Sequence, residues 1–229
     1  MDGMMNTTSQ RTLPGIQLII FDLDGTLADT RQDLAMSVNA MRKNMGLGPL
    51  PVETVTSYVG LGVGVLIKRA LGDGAAPGEL QKGLEFFLDF YSHHLLDNTV
   101  AYPGVREALE VLGNRKMAIL TNKGTDLSRQ IMAGLGLADY FFEICGGDSF
   151  PLKKPDPMGI NALMSRVAVP AEKTLMVGDS DTDVLTGRNA GVWTCGVTYG
   201  FGPQALEEAG PDLLLDDLRD LPPALGIGD

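Results

Sequence analysis

The stretch Ile16-Gln17-Leu18-Ile19-Ile20-Phe21-Asp22-Leu23-Asp24-Gly25-Thr26 decides how this chain is read. A short apolar run with β-branched residues predicts a buried parallel strand. The first charges after it fall at its carboxyl end, where open α/β sheets carry their sites. Asp22 and Asp24 therefore emerge together at a sheet edge. Taken alone, Asp24-Gly25 between apolar residues reads equally well as a hairpin turn. The pattern of the downstream chain decides between the two.

Behind Asp29 or Thr30 as N-cap candidates, Leu34, Val38, Met41 and Met45 recur at helical spacing, and Gly46 ends the pattern. This predicts a helix over 30–46. After Pro49 and Pro51, short helices over 52–58 and 65–71 are separated by Gly60-Leu61-Gly62-Val63-Gly64, and a third pattern runs from Leu80 to Leu95. No strand is predicted between about 30 and 97. Beyond the polar connection Asp97 to Gly104, helix and strand alternate, with strands over 117–120, 141–145, 174–177 and 192–197 and helices over 105–112, 127–135, 158–167 and 181–190. Alternation of this kind means crossover helices on a parallel sheet. The fold expected is α/β, a parallel-sheet Rossmann-like core formed by residues 16–29 and 98–229 with an inserted helical cap domain over 30–97. Leu213 to Leu215 adds a short strand in a tail with irregular Pro-rich flanks, and residues 1–15 read as a disordered leader.

A chain of 229 residues suits a core with a small accessory domain. Its formal net charge of -11 argues against nucleic acid or an anionic membrane as partner, since both would repel it. A small phosphorylated substrate held by local cations is compatible. No run of about 18 apolar residues occurs, and the first 15 residues lack the apolar middle of a signal peptide. Cys145 and Cys195 stand in apolar stretches without a C-x-x-C pair, so buried reduced thiols and a cytoplasmic location are expected. Oligomeric state is not legible.

Four predicted strand ends carry polar residues of one kind. They are Asp22 and Asp24, then Thr121-Asn122, then Lys153-Lys154-Pro155-Asp156-Pro157, then Gly178-Asp179-Ser180-Asp181-Thr182-Asp183. In a parallel sheet these ends share one edge. Two unit charges about 4 Å apart repel by roughly 4 kcal/mol at an effective dielectric near 20, so Asp22, Asp24, Asp179 and Asp183 need a cation between them. With an all-oxygen ligand set, Mg²⁺ is expected over zinc. A helix N-terminus capped by Ser180 or Asp181 accounts for one of the later acids but not for all of them. A calcium loop fails at Val184 and Ala190, where it needs Gly and Glu. Gly60, Gly62 and Gly64 lack the third glycine and the strand that a dinucleotide site requires, so they read as a loop that turns or approaches a ligand. His93 and His94 read as surface histidines.

The motifs Asp22-Leu23-Asp24-Gly25-Thr26, Thr121-Asn122, Lys154-Pro155-Asp156-Pro157 and Gly178-Asp179-Ser180-x-x-Asp183 resemble, in order and spacing, those of the haloacid dehalogenase superfamily. The insertion after the first motif, Gly60 to Arg69 and Thr198-Tyr199-Gly200 are similar to the phosphoglycolate phosphatase group. The resemblance implies that Asp22 attacks phosphorus to form an aspartyl phosphate and that Asp24 is the acid and base. It further implies that Thr121 binds phosphoryl oxygens and that Lys154, rather than Lys153, neutralises their charge. Mg²⁺ would lie between Asp22, the backbone carbonyl of Asp24 and Asp179, with Asp183 in support. Asn122 is grouped with the substrate.

The expected activity is Mg²⁺-dependent hydrolysis of a small phosphate monoester, with 2-phosphoglycolate first. A carboxylate on that substrate would need a donor, for which N–H groups around Gly62 or the side chain of Arg69 are candidates. A pyrophosphatase or a phosphosugar mutase of the same superfamily is the alternative, the latter kept open by Lys68, Arg69, His93 and His94 but disfavoured by Thr26. Asp24 speaks against a dehalogenase, and the intact acids and lysine speak against a non-catalytic binding module.

Overall fold

The strand β1 (Leu18–Phe21) is buried at every residue, and its side chains split by alternation between two apolar layers. Leu18 and Ile20 face a layer with Leu120, Ile160, Leu163 and Met176, whereas Ile19 and Phe21 face one with Ile119, Leu109, Ile131 and Val177. A strand buried on both faces belongs in the middle of a parallel sheet. The computed structural model, which describes residues 12–227, places it there.

The chain leaves β1 through a turn at Gly25 (φ +86) into β2 (Ala28–Asp29) and then a helical excursion. That excursion is α1 (Arg31–Asn44), α2 (Val52–Thr56), α3 (Val63–Leu71) and α4 (Pro77–His93). It returns in β3 (Val100–Ala101), which pairs antiparallel with β2, so the two chain crossings between cap and core lie side by side. Next come α5 (Val105–Val111), β4 (Lys116–Leu120), α6 (Thr125–Gly134), β5 (Glu143–Cys145) and α7 (Met158–Val167). The chain ends in β6 (Thr174–Gly178), α8 (Asp181–Ala190), β7 (Trp193–Val197), α9 (Pro203–Ala209), β8 (Leu213–Leu215) and α10 (Leu221–Ala224).

The sheet order is β5-β4-β1-β6-β7-β8, parallel throughout, with Phe21 opposite Ile119 on one side and Val177 on the other. The connectivity runs outward from β4 to β5 and then crosses to β6 on the far side of β1. The carboxyl end of β1 is thus the point where the winding reverses, the place such sheets keep for ligands.

Leu34, Val38 and Met41 turn one stripe of α1 inward, and α4 answers with Phe87 and Tyr91, whose rings stack 5.4 Å apart. These residues join the apolar layer under Ile19 and Phe21, so cap and core share one hydrophobic interior. A buried acid ties the crossings together. Asp33, in the first turn of α1, accepts from the backbone N–H groups of Asn98 (3.0 Å) and Thr99 (2.8 Å) and from the Thr99 hydroxyl (2.7 Å). Burial works against its charge, but these donors outweigh it and hold the carboxyl below the ordinary range.

Several expectations shift. The hairpin reading fails because both partners of β1 are parallel. The β2/β3 ribbon is an addition to the expected elements, since two-residue strands carry no periodicity. The Pro-rich tail contains α9, with Pro203 at its first position. Of the expected leader, residues 1–11 lie outside the described residues, but Leu13 is buried and its N–H donates to the Ala224 carbonyl at 2.8 Å. Both cysteines are free and buried. Among the described residues, no helix is long and apolar enough to cross a membrane.

Candidate active site

Between the sheet edge and the cap lies a cavity of about 580 Å³. Its core wall carries Asp22, Asp24, Thr121, Asn122, Lys123 and Asp179, and its cap wall Leu34, Val63, Leu66, Phe87, Leu88 and Tyr91. At its floor, one carboxylate oxygen from each of Asp22, Asp179 and Asp183 lies within 4.8 Å of the others, and all three side chains are buried. The cluster holds no histidine or cysteine, so its donor set is the hard oxygen set that suits Mg²⁺.

Each acid is held by a different part of the fold. Asp179 follows β6 and accepts from the Thr26 hydroxyl (3.1 Å) and the Phe201 N–H (2.7 Å). The backbone of Gly25 passes so close that a methyl group there would stand 2.2 Å from Asp179 Oδ2, which excludes any side chain. Asp183, at the third position of α8, reaches back to accept from the Ser180 N–H (3.2 Å) and hydroxyl (2.6 Å), which also aims its other oxygen at Lys154 Nζ (2.6 Å). Helix capping therefore explains Asp183 in part and leaves Asp22 and Asp179 unexplained.

Lys154 Nζ stands 2.9 Å from Asp22 Oδ1, close enough to pair in charge but not aligned as a hydrogen bond, so that this buried oxygen lacks a donor. Burial and the neighbouring Asp183 raise the Asp22 carboxyl to about 6, against the lowering pull of Lys154. Burial, then Asp183 and Asp22, raise Asp179 well above the ordinary range. Burial opposes the charge on Lys154, but Asp183 and Asp22 outweigh it and hold the ammonium above the usual lysine range. One lysine among three acids leaves net negative charge in a dry site, the condition under which a divalent cation binds.

Asp24 points elsewhere. Its Oδ1 accepts from the Thr30 hydroxyl (2.7 Å) and from Lys123 Nζ (2.9 Å), and Lys123 also reaches Oδ2 at 3.1 Å. The expected N-cap of α1 thus spends its hydroxyl on Asp24. The Asp24 carboxylate stays outside the acid trio. Lys123 lies buried, 4.8 Å over the ring of Tyr91 from the cap. Sequence reading missed this lysine. The available signal was its place directly after Thr121-Asn122 at the end of β4.

Thr121 is buried in the cavity wall, its hydroxyl oxygen accepting from the Lys123 N–H at 3.3 Å. Asn122 lines the cavity, but its amide is engaged. Nδ2 donates to the carbonyls of Gly60 (2.8 Å) and Lys154 (3.0 Å), and Oδ1 accepts from the Lys154 N–H (3.0 Å). Instead of facing a ligand, it fixes the loop bearing Lys154, ahead of a cis Pro155, and ties it to the cap. Gly62 lines the cavity at the start of α3. Arg69 does not. It is exposed on α3 and donates to the Ser57 carbonyl at 3.5 Å, outside the cavity lining. Lys68, His93 and His94 are absent from the wall as well, and His94 lies against Asp97 at 2.7 Å.

The family model for haloacid dehalogenase-like hydrolases matches residues 19–197, and so spans both sheet halves, the cap and every residue of the acid cluster. The chain belongs to that family. A phosphoglycolate phosphatase of Vibrio parahaemolyticus is 40% identical over 219 residues, covering 92% of this chain and 96% of its own. One from Neisseria gonorrhoeae is 38% identical, with 90% and 92% covered. The crystal structure of a predicted phosphoglycolate phosphatase from Haemophilus somnus superposes with a TM-score of 0.87 at 31% identity, over 91% of this chain and 97% of that one. These relatives place the haloacid dehalogenase-like chain among the phosphatases of its family, cap included.

Proposed function

We propose that this chain hydrolyses a small phosphate monoester, 2-phosphoglycolate before others, to glycolate and inorganic phosphate through an aspartyl phosphate on Asp22. The observation that supports this most is the divided fate of two acids two residues apart: Asp22 enters the acid cluster beside Lys154, while Asp24 is held apart by Lys123 and Thr30. In this reading one acid forms a bond and the other moves a proton.

Asp22 attacks phosphorus, the bond from phosphorus to the ester oxygen breaks, and Asp24 gives its proton to the departing oxygen. Asp24 then takes a proton from the water that attacks the aspartyl phosphate, which releases phosphate and restores both acids. Lys154 balances charge on the phosphoryl oxygens, and the Thr121 hydroxyl donates to one of them. Asp22, Asp179 and the Asp24 carbonyl would hold Mg²⁺, with Asp183 supporting them, since both of its oxygens already serve Lys154 and Ser180. When bound, the ion supplies positive charge that lets an anionic nucleophile approach an anionic ester. The apolar cap wall excludes bulk water.

The test is kcat/KM for 2-phosphoglycolate, hexose phosphates, a nucleoside monophosphate and pyrophosphate at one Mg²⁺ concentration, since that ratio measures discrimination. Phosphoglycolate is expected to lead. A rank well below a sugar phosphate or pyrophosphate would remove the substrate while leaving the chemistry, which acid-quenched protein phosphorylated at Asp22 would support separately.

A further inference from the structure

Among the described residues, one lysine in the cavity wall has no carboxylate at ion-pair distance. The wall carries two lysines, and Lys123 is committed to Asp24. The other is Lys153. Its sequence neighbour Lys154 turns into the acid cluster, while Lys153 extends across the cavity toward the cap. The stem passes Gly147, where a methyl group would stand 3.2 Å from Cε. The ammonium reaches the glycine loop, where a methyl on Gly62 would stand 3.3 Å from Nζ. Gly62 holds φ +89, a conformation that favours glycine, so the loop's close approach to Lys153 depends on that residue. Asp148 feels the charge of Lys153, but its Oδ1 is occupied by the N–H and hydroxyl of Thr125.

The rest of the wall offers an anion neutral donors, such as the hydroxyls of Ser57, Tyr91 and Thr121, but no further free positive charge. The cap contributes leucine, valine and phenylalanine with the neutral groups of Thr56, Ser57 and Tyr91, and the acids Asp126, Asp148 and Asp181 repel an anion. A leaving group that carries its own negative charge therefore has Lys153 as its available cation. We infer that Lys153 is the specificity-determining residue of this site. It pairs with a carboxylate on the leaving group while Lys154, one peptide away, serves the phosphoryl end. The substrate class is then phosphate monoesters with a second anionic group a few atoms from phosphorus. This rests on the reading of the site as a phosphatase for phosphoglycolate, and replaces Arg69 as the carboxylate partner.

The experiment compares kcat/KM for 2-phosphoglycolate with that for ethyl phosphate, which has the same two-carbon skeleton without the carboxylate. It uses the wild type, Lys153→Met, Lys153→Arg and Arg69→Met, each checked for folding by thermal melt. A charged hydrogen bond gained only by the carboxylate ester predicts that Lys153→Met lowers the ratio about tenfold to a hundredfold, chiefly through KM for phosphoglycolate. Lys153→Arg should restore part of it. A wild-type ratio well above one that survives Lys153→Met overturns the assignment alone, as does a collapse in Arg69→Met instead. A wild-type ratio near one overturns the substrate reading, and the assignment with it.

Discussion

The two walls of the cavity are built on opposite principles. On the core side three acids are held by fixed partners: Asp179 with Thr26 and Phe201, Asp183 with Ser180 and Lys154, Asp24 with Thr30 and Lys123. On the cap side, Leu34, Val63, Leu66, Phe87 and Leu88 offer surface without direction. A charge is worth more where water is excluded and where its neighbours are fixed before the substrate arrives. The sheet edge supplies the fixed neighbours and the cap supplies the dryness. Substitutions in the acid cluster, or at Asp24 and the groups that hold it, should therefore act on turnover, whereas those of the apolar cap wall should act on binding and stability.

The largest effect expected is that of Asp22→Asn, which keeps shape but removes the proposed nucleophile. Turnover should fall by several orders of magnitude in steady-state assays. Because Asp22 is buried among like charges, the neutral amide should leave the melting temperature in chelator unchanged or raise it. A large loss of both activity and stability would mean that the acid is structural, and the contrast between the walls would fail there. Chelation should mimic the activity loss in the wild type, with Mg²⁺ restoring it.

Lys123→Met comes next. Lys123 is where the walls touch, since it pairs with Asp24 and lies over Tyr91 from α4. Without it Asp24 keeps only Thr30, and a misplaced proton-transfer group lowers kcat by about tenfold to a hundredfold. KM should move little. A change confined to KM, read from initial-rate curves, would make Lys123 a binding group and blur the division of labour.

How much of the molecule is legible in its sequence depends on whether a residue's role comes from local pattern. Asp22, Asp179 and Asp183 were legible because strand ends in a parallel sheet must meet on one edge, wherever the helices fall. The cap helices were legible from periodicity. Lys123, Lys153 and Arg69 were not, because what a lysine or arginine reaches depends on side-chain direction across a gap that sequence does not measure. Arg69 has the right charge but stands exposed in the last turn of α3, away from the cavity at that helix's start. Asn122 was assigned by its neighbourhood, but its hydrogen bonds go to the backbone of Lys154 and Gly60. The β2/β3 ribbon and the Asp33 clamp are long-range pairings of short segments, 65 or more residues apart for Asp33 with Asn98 and Thr99, and no local signal encodes them.

The smallest effect is the most diagnostic, because the cluster and the clamp respond to acid with opposite signs. Asp22 has a folded value raised to about 6 above its ordinary one, and Asp179 shifts the same way, so between about pH 4 and 6 the folded state binds more protons than the unfolded. In chelator, stability should rise as pH falls through that window. Asp33 is held below the ordinary range, so its contribution is present above about pH 4 and is lost as pH falls further. Asp29, held low by Arg31, adds to the same limb. The melting temperature of metal-free protein should therefore pass through a maximum near pH 4. Saturating Mg²⁺ should flatten the alkaline side, since it favours the ionised carboxylates that protons would otherwise relieve. Asp33→Asn should reduce the acid limb and lower stability by about 1–3 kcal/mol, because it replaces a charged acceptor of several buried hydrogen bonds. If metal-free protein instead gains stability steadily from pH 5 to 7, the acid cluster is not strained when empty.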